Sequence, residues 1–192
     1  MEKIIDEITA LDQKLFLFFN GLHTPFFDAI MPWITGRTSW IPLYVFIIVF
    51  IGYKFPHKQA IISVLFIIAA VGAADYVTSG LMKPHFQRFR PCHEPGLAGM
   101  FHLIVNCGGE FGFASSHAAN CFALFGSLYF ILKKYLIIVC LMLLWAILVS
   151  YSRIYVGVHY FGDVLAGGLI GFLISYTFYK ILSIALIKFK QE

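Results

Sequence analysis

Most of the residues that could carry out chemistry lie in three short polar segments, residues 83–91, 115–117 and 152–163. These segments contain a lysine, arginines, histidines and an aspartate, whereas the rest of the chain is largely apolar. Cationic side chains can bind a phosphoryl group, and histidines can attack phosphorus or protonate a leaving oxygen. The three segments therefore predict a phosphate-handling site.

The first segment, 83–91, begins where an apolar stretch ends and carries Lys83, Arg88 and Arg90. Lysines and arginines at the ends of membrane spans often only reach toward lipid headgroups. Three cations this close together nevertheless favour an anionic partner. Phosphate is the obvious candidate, because guanidinium binds it with two hydrogen bonds and ammonium neutralises it as a point charge.

The second segment places Ser115, Ser116 and His117 at the start of an expected helix, shortly after a glycine-rich stretch. Serines at such a position can simply cap the helix. Unpaired backbone N–H groups and the helix dipole also make a helix N-terminus a site for anions. We expect His117 to project toward the same space.

The third segment contains His159 and Asp163, four residues apart. If both lie at the start of one helix, they share a face. Asp163 could then accept the proton of one imidazole nitrogen and leave the other nitrogen as a nucleophile. The alternative is a structural pair with no chemical role.

Together the segments resemble the signature of the type 2 phosphatidic acid phosphatase family. That signature runs Lys, six residues, Arg-Pro, then Pro-Ser-Gly-His, then Ser-Arg, five residues, His, three residues, Asp. The first and third blocks match at every signature position. In the second block Ala114 replaces the proline and Ser116 replaces the glycine, while Ser115 and His117 match.

The resemblance implies a mechanism. His159 would attack phosphorus, Asp163 would hold its ring, and His117 would act as general acid and then as base. The resemblance also implies four ligands of the phosphate oxygens: Lys83, Arg90, Ser115 and Arg153. No metal or other cofactor is implied, because the cations take the place of a magnesium ion.

Three further residues are candidates for a secondary role: Ser116, Arg88 and Asp75. Arg88 lies outside the signature, and we interpret it as a possible headgroup contact. Asp75 lies inside an apolar stretch, about two helical turns before Lys83 and on nearly the same face. A carboxylate at such a depth indicates either a function or a structural pair with another helix.

The composition predicts an integral membrane protein of one domain, residues 1–192. The chain is 60% hydrophobic and 12% charged, with a mean hydropathy of +0.83, outside the range of soluble domains. Apolar stretches approach the length of a membrane-spanning helix at residues 40–53, 60–81, 113–132, 135–149 and 164–187. We predict an all-α polytopic membrane helix bundle with five strong spans.

Two regions are less regular. Residues 1–36 form an amphipathic region that could lie in the membrane interface, or whose first helix could join residues 26–34 as a sixth span. Residues 84–112 are rich in proline and glycine but also apolar, which predicts an extracytoplasmic loop that forms a lid or wall of the site.

The orientation follows from lysines outside the site. They occur in three places: Lys54 and Lys58, Lys133 and Lys134, and Lys188 and Lys190. When the chain is followed back and forth across the membrane through the predicted spans, all three places lie on one face. The positive-inside tendency makes that face cytoplasmic. The site is then expected on the extracytoplasmic face of the cell (inner) membrane.

The cysteines leave a choice open. Cys92 and Cys107 both lie in the extracytoplasmic loop, where they could form a disulfide or remain reduced. A zinc site made of His102, Cys107, His117 and Cys121 would match no compact ligand spacing. We therefore predict no metal.

We interpret the chain as a lipid phosphatase. Bacterial members of the family that it resembles act on undecaprenyl diphosphate, phosphatidylglycerol phosphate, phosphatidic acid or lipid A, and our narrower expectation is undecaprenyl diphosphate or lipid A. Two alternatives remain, a transporter of lipids or phosphate esters and a non-catalytic binder. The expected partners are a phosphorylated lipid and membrane lipids, with neither nucleic acid nor an obligatory protein partner.

Overall fold

A computed structural model describes residues 2–188, with the side chains of residues 3–183. Lys190, one of the lysines used to predict the orientation, lies outside this range, as does the side chain of Lys188. The described residues form eight α-helices: α1 (Glu2–Asn20), α2 (Pro25–Thr35), α3 (Ile41–Lys54), α4 (His57–Asp75), α5 (Lys83–Phe86), α6 (Ser116–Leu132), α7 (Leu136–Tyr155) and α8 (Phe161–Lys188). Among the described residues the only β-pairing is one isolated bridge, between Phe89 and Phe111. The all-α prediction is confirmed.

Three stretches of the described chain are long and apolar enough to cross a membrane as single helices: His57–Phe86, Leu136–Tyr155 and Phe161–Ser183. The first combines α4 and α5 through a π-helical segment, Tyr76–Met82. The segments Pro25–Thr35 and Thr38–Lys54 bend by 77° and can count as a fourth, broken span. The polytopic bundle is confirmed.

Two predicted spans differ in detail. The predicted span 40–53 is the second half of the bent pair. The predicted span 113–132 shortens to α6, with 17 residues, because the helix begins only at Ser116.

The N-terminal region forms two helices separated by a turn. The buried face of α1 carries Asp12, Phe16 and Asn20, at helical spacing. Its apolar residues Ile4 and Ile8 are exposed instead. The bend joins α2 to α3, so residues 25–35 pair with the following helix and do not continue α1.

Helix α6 lies against α8 at very short range. A Cβ atom added to Gly171 would overlap the backbone of Ala119, and one added to Gly167 would overlap the backbone of Ser115. The small residues of α8 therefore let the two backbones touch. This contact brings the N-terminus of α6 beside the first turn of α8.

The loop 84–112 folds back on itself and packs on the bundle. Its two ends are joined by backbone hydrogen bonds, from Arg90 N to Glu110 O (2.9 Å) and from Gly112 N to Arg88 O (2.8 Å). Cys92 and Cys107 form a disulfide across it. Leu97 is buried in a cluster with Phe16 of α1. The loop thus forms a wall between α1 and the start of α8.

Candidate active site

A histidine and an aspartate at the start of α8 form the centre of the site. His159 precedes the helix and Asp163 lies in its first turn, and both are almost fully buried. The Nδ1 atom of His159 lies 3.2 Å from Oδ2 of Asp163. Because the carboxylate accepts, Nδ1 carries the proton and Nε2 carries the lone pair.

A second carboxylate holds this pair from α1. Arg88 donates from Nη1 to Asp163 Oδ1 and from Nη2 to Asp12 Oδ2, both at 2.8 Å. Asp12 in turn accepts from the backbone N of Gly162, at 2.8 Å. Arg88, which we expected as a headgroup contact, is therefore engaged by two carboxylates, and it fixes the orientation of Asp163.

Arg90 contacts the other side of the imidazole. Its Nη1 lies 3.1 Å from His159 Nε2 and donates to it, since a guanidinium cannot accept. Its Nε donates to Gly109 O at 2.7 Å, which anchors the arginine to the loop. The lone pair that would attack phosphorus is thus covered by a cation in this arrangement.

The surroundings keep His159 neutral. Burial lowers its pKa well below the ordinary histidine value, and the positive charges of Arg90, Arg153, Lys83 and Arg88 lower it further. A neutral imidazole has the lone pair that a nucleophile needs. The same four cations make this cluster unsuited to a divalent metal ion and well suited to a phosphate.

The start of α6 contributes hydroxyls and backbone groups. Lys83 donates to Ser116 Oγ at 2.7 Å, and Ser79 Oγ lies at the same distance from that hydroxyl. Ser115 caps α6, and its backbone N donates to the carbonyl oxygen of Asp163 at 2.9 Å. Lys83 and both serines are therefore held beside the His159–Asp163 pair.

A polar cavity of about 260 Å³ adjoins this cluster. His117 and Ser116 line it, together with Arg37. Arg153 donates to Thr35, another lining residue, and its own buried Nε has no hydrogen-bond partner among the described residues. Arg153 does not itself line the cavity, but an unpaired guanidinium N–H behind a lining residue is a ready donor for a bound anion.

Asp75 lies on the wall of the same cavity. Its Oδ1 accepts from Nδ2 of Asn120, on α6, at 2.9 Å. Asp75 is therefore paired with another helix, and it also lines the cavity beside the predicted site.

An apolar groove of about 430 Å³ shares a wall with the polar cavity. The shared residues are Tyr44, Asn120, Cys121 and Trp145. Apolar side chains of α3 and α4, such as Ile47 and Val64, line most of the rest. A ligand with a charged head and a hydrocarbon tail matches this pair of spaces.

The structure brings the predicted site residues to one end of the bundle. His117 and Asp75 line the cavity, while His159 is 1% exposed and lies behind Arg90. Sequence reasoning missed Asp12 and Arg37. The signal for Asp12 was its spacing from Phe16 and Asn20 on one face of α1, a face that proved to be the buried one.

Comparisons with known proteins agree with this geometry. The model of the PAP2 superfamily matches residues 60–185. A lipid A 4′-phosphatase of Bacteroides thetaiotaomicron is 37% identical over 180 residues, which is 93% of this chain and 80% of that protein. A lipid A 4′-phosphatase of Porphyromonas gingivalis is 32% identical over 182 residues, covering 92% of this chain and 75% of that protein.

Two crystal structures share the fold. A transmembrane PAP2 type phosphatidylglycerolphosphate phosphatase from Bacillus subtilis superposes with a TM-score of 0.71 at 23% identity, covering 92% of this chain and 87% of that one. LpxE of Aquifex aeolicus gives a TM-score of 0.70 at 25% identity, covering 88% and 95%.

Proposed function

Because this chain belongs to the PAP2 superfamily and is a membrane lipid phosphatase, we propose that it removes the 4′-phosphate of lipid A through a phosphohistidine at His159. The observation that carries the chemistry is the buried imidazole whose Nδ1 is held by Asp163 at 3.2 Å and whose Nε2 faces a guanidinium. The choice of substrate is supported by the two lipid A 4′-phosphatases, which align over more than nine tenths of this chain.

In the first step Nε2 of His159 attacks phosphorus, and the bond between phosphorus and the lipid oxygen breaks. His117 gives its proton to that oxygen, so the lipid leaves as an alcohol. Lys83, Arg90, Arg153 and Ser115 hold the phosphoryl oxygens in line for the displacement. The imidazole is then phosphorylated, and Asp163 stabilises its positive charge.

In the second step a water molecule attacks the phosphohistidine. His117, now neutral, takes the proton of the water, the bond between nitrogen and phosphorus breaks, and inorganic phosphate leaves. Both steps balance in protons because His117 ends protonated, as it began. No metal takes part in either step.

Arg90 must move when the phosphate binds, because its Nη1 occupies the position that phosphorus needs at Nε2. A rotation of the guanidinium away from Nε2 would bring the same N–H donor onto a phosphate oxygen. The hydrogen bond to Gly109 O can remain through Nε. Arg90 would thus cover the nucleophile without substrate and bind the substrate when it arrives.

The paired spaces support a lipid substrate. The 4′-phosphate would enter the polar cavity, and an acyl chain would lie in the apolar groove between α3 and α4. Undecaprenyl diphosphate has the same general character, a phosphorylated head on a hydrocarbon chain, and is the second candidate substrate. A transporter or a non-catalytic binder would need the cations to bind the phosphate but would not need the two histidines for chemistry.

We place the site on the extracytoplasmic face of the inner membrane. Lys54 and Lys58 lie at the end of α4 opposite Lys83, and Lys133 follows the end of α6 opposite Ser116. This charge distribution supports a cytoplasmic position for the far end. The disulfide between Cys92 and Cys107 supports an oxidising compartment for the site end.

The test is phosphate release in detergent with a chelator present. Bisphosphorylated lipid A, lipid A lacking the 4′-phosphate and undecaprenyl diphosphate are compared, and the lipid products are identified by mass spectrometry. We expect release from bisphosphorylated lipid A at the 4′ position. His159→Ala should lower kcat by at least about 10³-fold, while His57→Ala, an exposed histidine at the far end of α4, should not.

Each other outcome rejects a defined part of the proposal. Release from undecaprenyl diphosphate alone would reject the lipid A assignment and leave the chemistry intact. Activity that survives in His159→Ala would reject the nucleophile. Binding of lipid A without release by the wild type would favour the binder.

A further inference from the structure

Two histidines and an aspartate outside the active site lie within reach of one another. His23 follows α1, Asp28 is in the first turn of α2, and His102 belongs to the loop 84–112. One ligand atom from each side chain lies within 4.8 Å of the other two. His102 Nε2 is 3.0 Å from Asp28 Oδ2, and the rings of His23 and His102 are stacked with their centroids 4.0 Å apart.

Buried neighbours hold the side chain of Asp28 and the backbone of His102 in place. Tyr155 donates its hydroxyl proton to Asp28 Oδ1 at 2.7 Å, which leaves Oδ2 for another partner. Asn20, 1% exposed, accepts from the backbone N of His102 at 2.7 Å and donates to its carbonyl oxygen at 2.9 Å. Hydrogen bonds of this kind orient metal ligands in many proteins.

A hydrogen-bonded pair explains only part of this arrangement. The carboxylate oxygen left free by Tyr155 is used by His102, and the side chain of His23 takes part in none of the hydrogen bonds found among the described residues. We propose that His23, Asp28 and His102 bind a divalent transition-metal ion, Zn²⁺ by their chemistry. Two imidazoles and one carboxylate, with a water as fourth ligand, form a tetrahedral site that zinc accepts.

The spacing of His102 and Asp28 fits such an ion. Ligand atoms in a tetrahedral zinc site with bonds of about 2.0–2.1 Å are about 3.3 Å apart, close to the 3.0 Å between His102 and Asp28. His23 is exposed and can turn its ring toward them. A cavity of about 240 Å³ beside His23 and His102 gives the ion access from outside.

A bound ion would connect the loop to the α1–α2 corner. The carbonyl oxygen of His102 lies against Gly157, where an added Cβ atom would come within 2.8 Å of it, and Gly157 has a φ of +86°. Gly157 is two residues before His159. The metal would therefore stabilise the contact between the loop and the segment that carries the nucleophile, and the reaction itself would proceed without it.

The test measures zinc directly and does not depend on turnover. Full-length protein, purified with its disulfide oxidised, is stripped with a chelator and titrated with Zn²⁺, with Mg²⁺ and Ca²⁺ in parallel. Bound metal is counted by mass spectrometry, and affinity is obtained by competition with a chromophoric chelator. We expect one zinc per chain, a higher melting temperature with zinc, and no such effect of Mg²⁺ or Ca²⁺.

Variants locate the ion. His23→Gln, at an exposed position, should keep the fold and weaken zinc binding at least about 10-fold, and Tyr155→Phe should weaken it about 10- to 100-fold through Asp28. His93→Ala is the matched control, because His93 lies beside Cys92 and Cys107, a second possible group of ligands. Absence of zinc binding, or binding that is unchanged in His23→Gln or lost in His93→Ala, would overturn the proposal.

Discussion

At the residue scale, both carboxylate oxygens of Asp163 are occupied. Oδ2 accepts from His159 and from the backbone N of Tyr160, at 3.2 Å and 3.1 Å, and Oδ1 accepts from Arg88 at 2.8 Å. Asp12 fixes Arg88 from the other side. The position of the imidazole therefore depends on a carboxylate of α1 that we do not expect to touch the substrate.

We predict that Asp12→Asn lowers kcat about 10- to 100-fold with little change in KM, because small misplacement of a reacting group is costly. The variant removes the charge that orients Arg88 and leaves the proposed phosphate ligands in place. Steady-state kinetics with a lipid phosphate measure both constants. Asp6→Asn, at an exposed position of α1, is the control, and a change confined to KM would contradict the positioning role.

The second prediction at this scale concerns protonation. Burial and four neighbouring cations lower the pKa of His159, so its imidazole should stay neutral as the pH falls through the ordinary histidine value of about 6.5. Nitrogen NMR of histidine-labelled protein without substrate, with His159→Gln to assign the signal, measures this titration. A midpoint at or above about 6.5 would contradict the prediction.

At the element scale, the contact of α6 with α8 positions both halves of the site. The first turn of α6 carries Ser116 and His117, and the first turn of α8 carries Asp163. The glycines of α8 allow the backbones to touch, so that the two turns lie side by side. A larger residue there must push the helices apart or distort them.

We predict that Gly171→Ala lowers the free energy of unfolding by about 1–3 kcal/mol, the usual cost of overpacking, and also lowers activity. Gly52→Ala is the matched control, because a Cβ atom added to Gly52 of α3 meets nothing within 4 Å. It should be neutral or stabilising by up to about 1 kcal/mol through helix propensity. Unfolding in detergent measures the stability of both variants. Equal stability of the two would argue against close packing at Gly171.

At the scale of the whole molecule, the polar cavity and the apolar groove share a wall, so one lipid could occupy both. The helices α3 and α4 that line the groove also carry exposed apolar residues, such as Val45 and Ile61, which suits lateral entry of a hydrocarbon chain from the bilayer. We therefore expect the polar cavity to bind the phosphorylated head of the lipid and the apolar groove to bind its hydrocarbon tail.

We predict that Val64→Trp, which fills part of the groove, lowers kcat/KM for a long-chain lipid phosphate about 10-fold or more, because each methylene excluded from an apolar pocket costs about 1–3 kcal/mol in discrimination. A short-chain, water-soluble phosphate ester should be hydrolysed as by the wild type. Leu141→Trp, on an exposed face of α7, controls for the added indole. An equal loss on both substrates would mean that the groove does not hold the tail.

Much of this protein is determined by its sequence alone. The average hydropathy and the lengths of the apolar stretches predict a helical membrane protein, because a backbone in lipid must satisfy its own hydrogen bonds. The spacing of His159 and Asp163 is local, within one helical turn, so their pairing could be predicted. The family signature names the candidate side chains, because the chemistry of phosphate demands those residue types.

Only the tertiary structure decided the rest. Arg88 binds Asp12 across 76 residues of sequence, and Arg90 reaches His159 across 69; no local pattern records such pairs. Asp12 and Asn20 lie on the buried face of α1 beside Phe16, while the apolar Ile4 and Ile8 are exposed, because the partners of the two polar side chains are on elements distant in sequence. The group of His23, Asp28 and His102 likewise exists only because three separate elements meet.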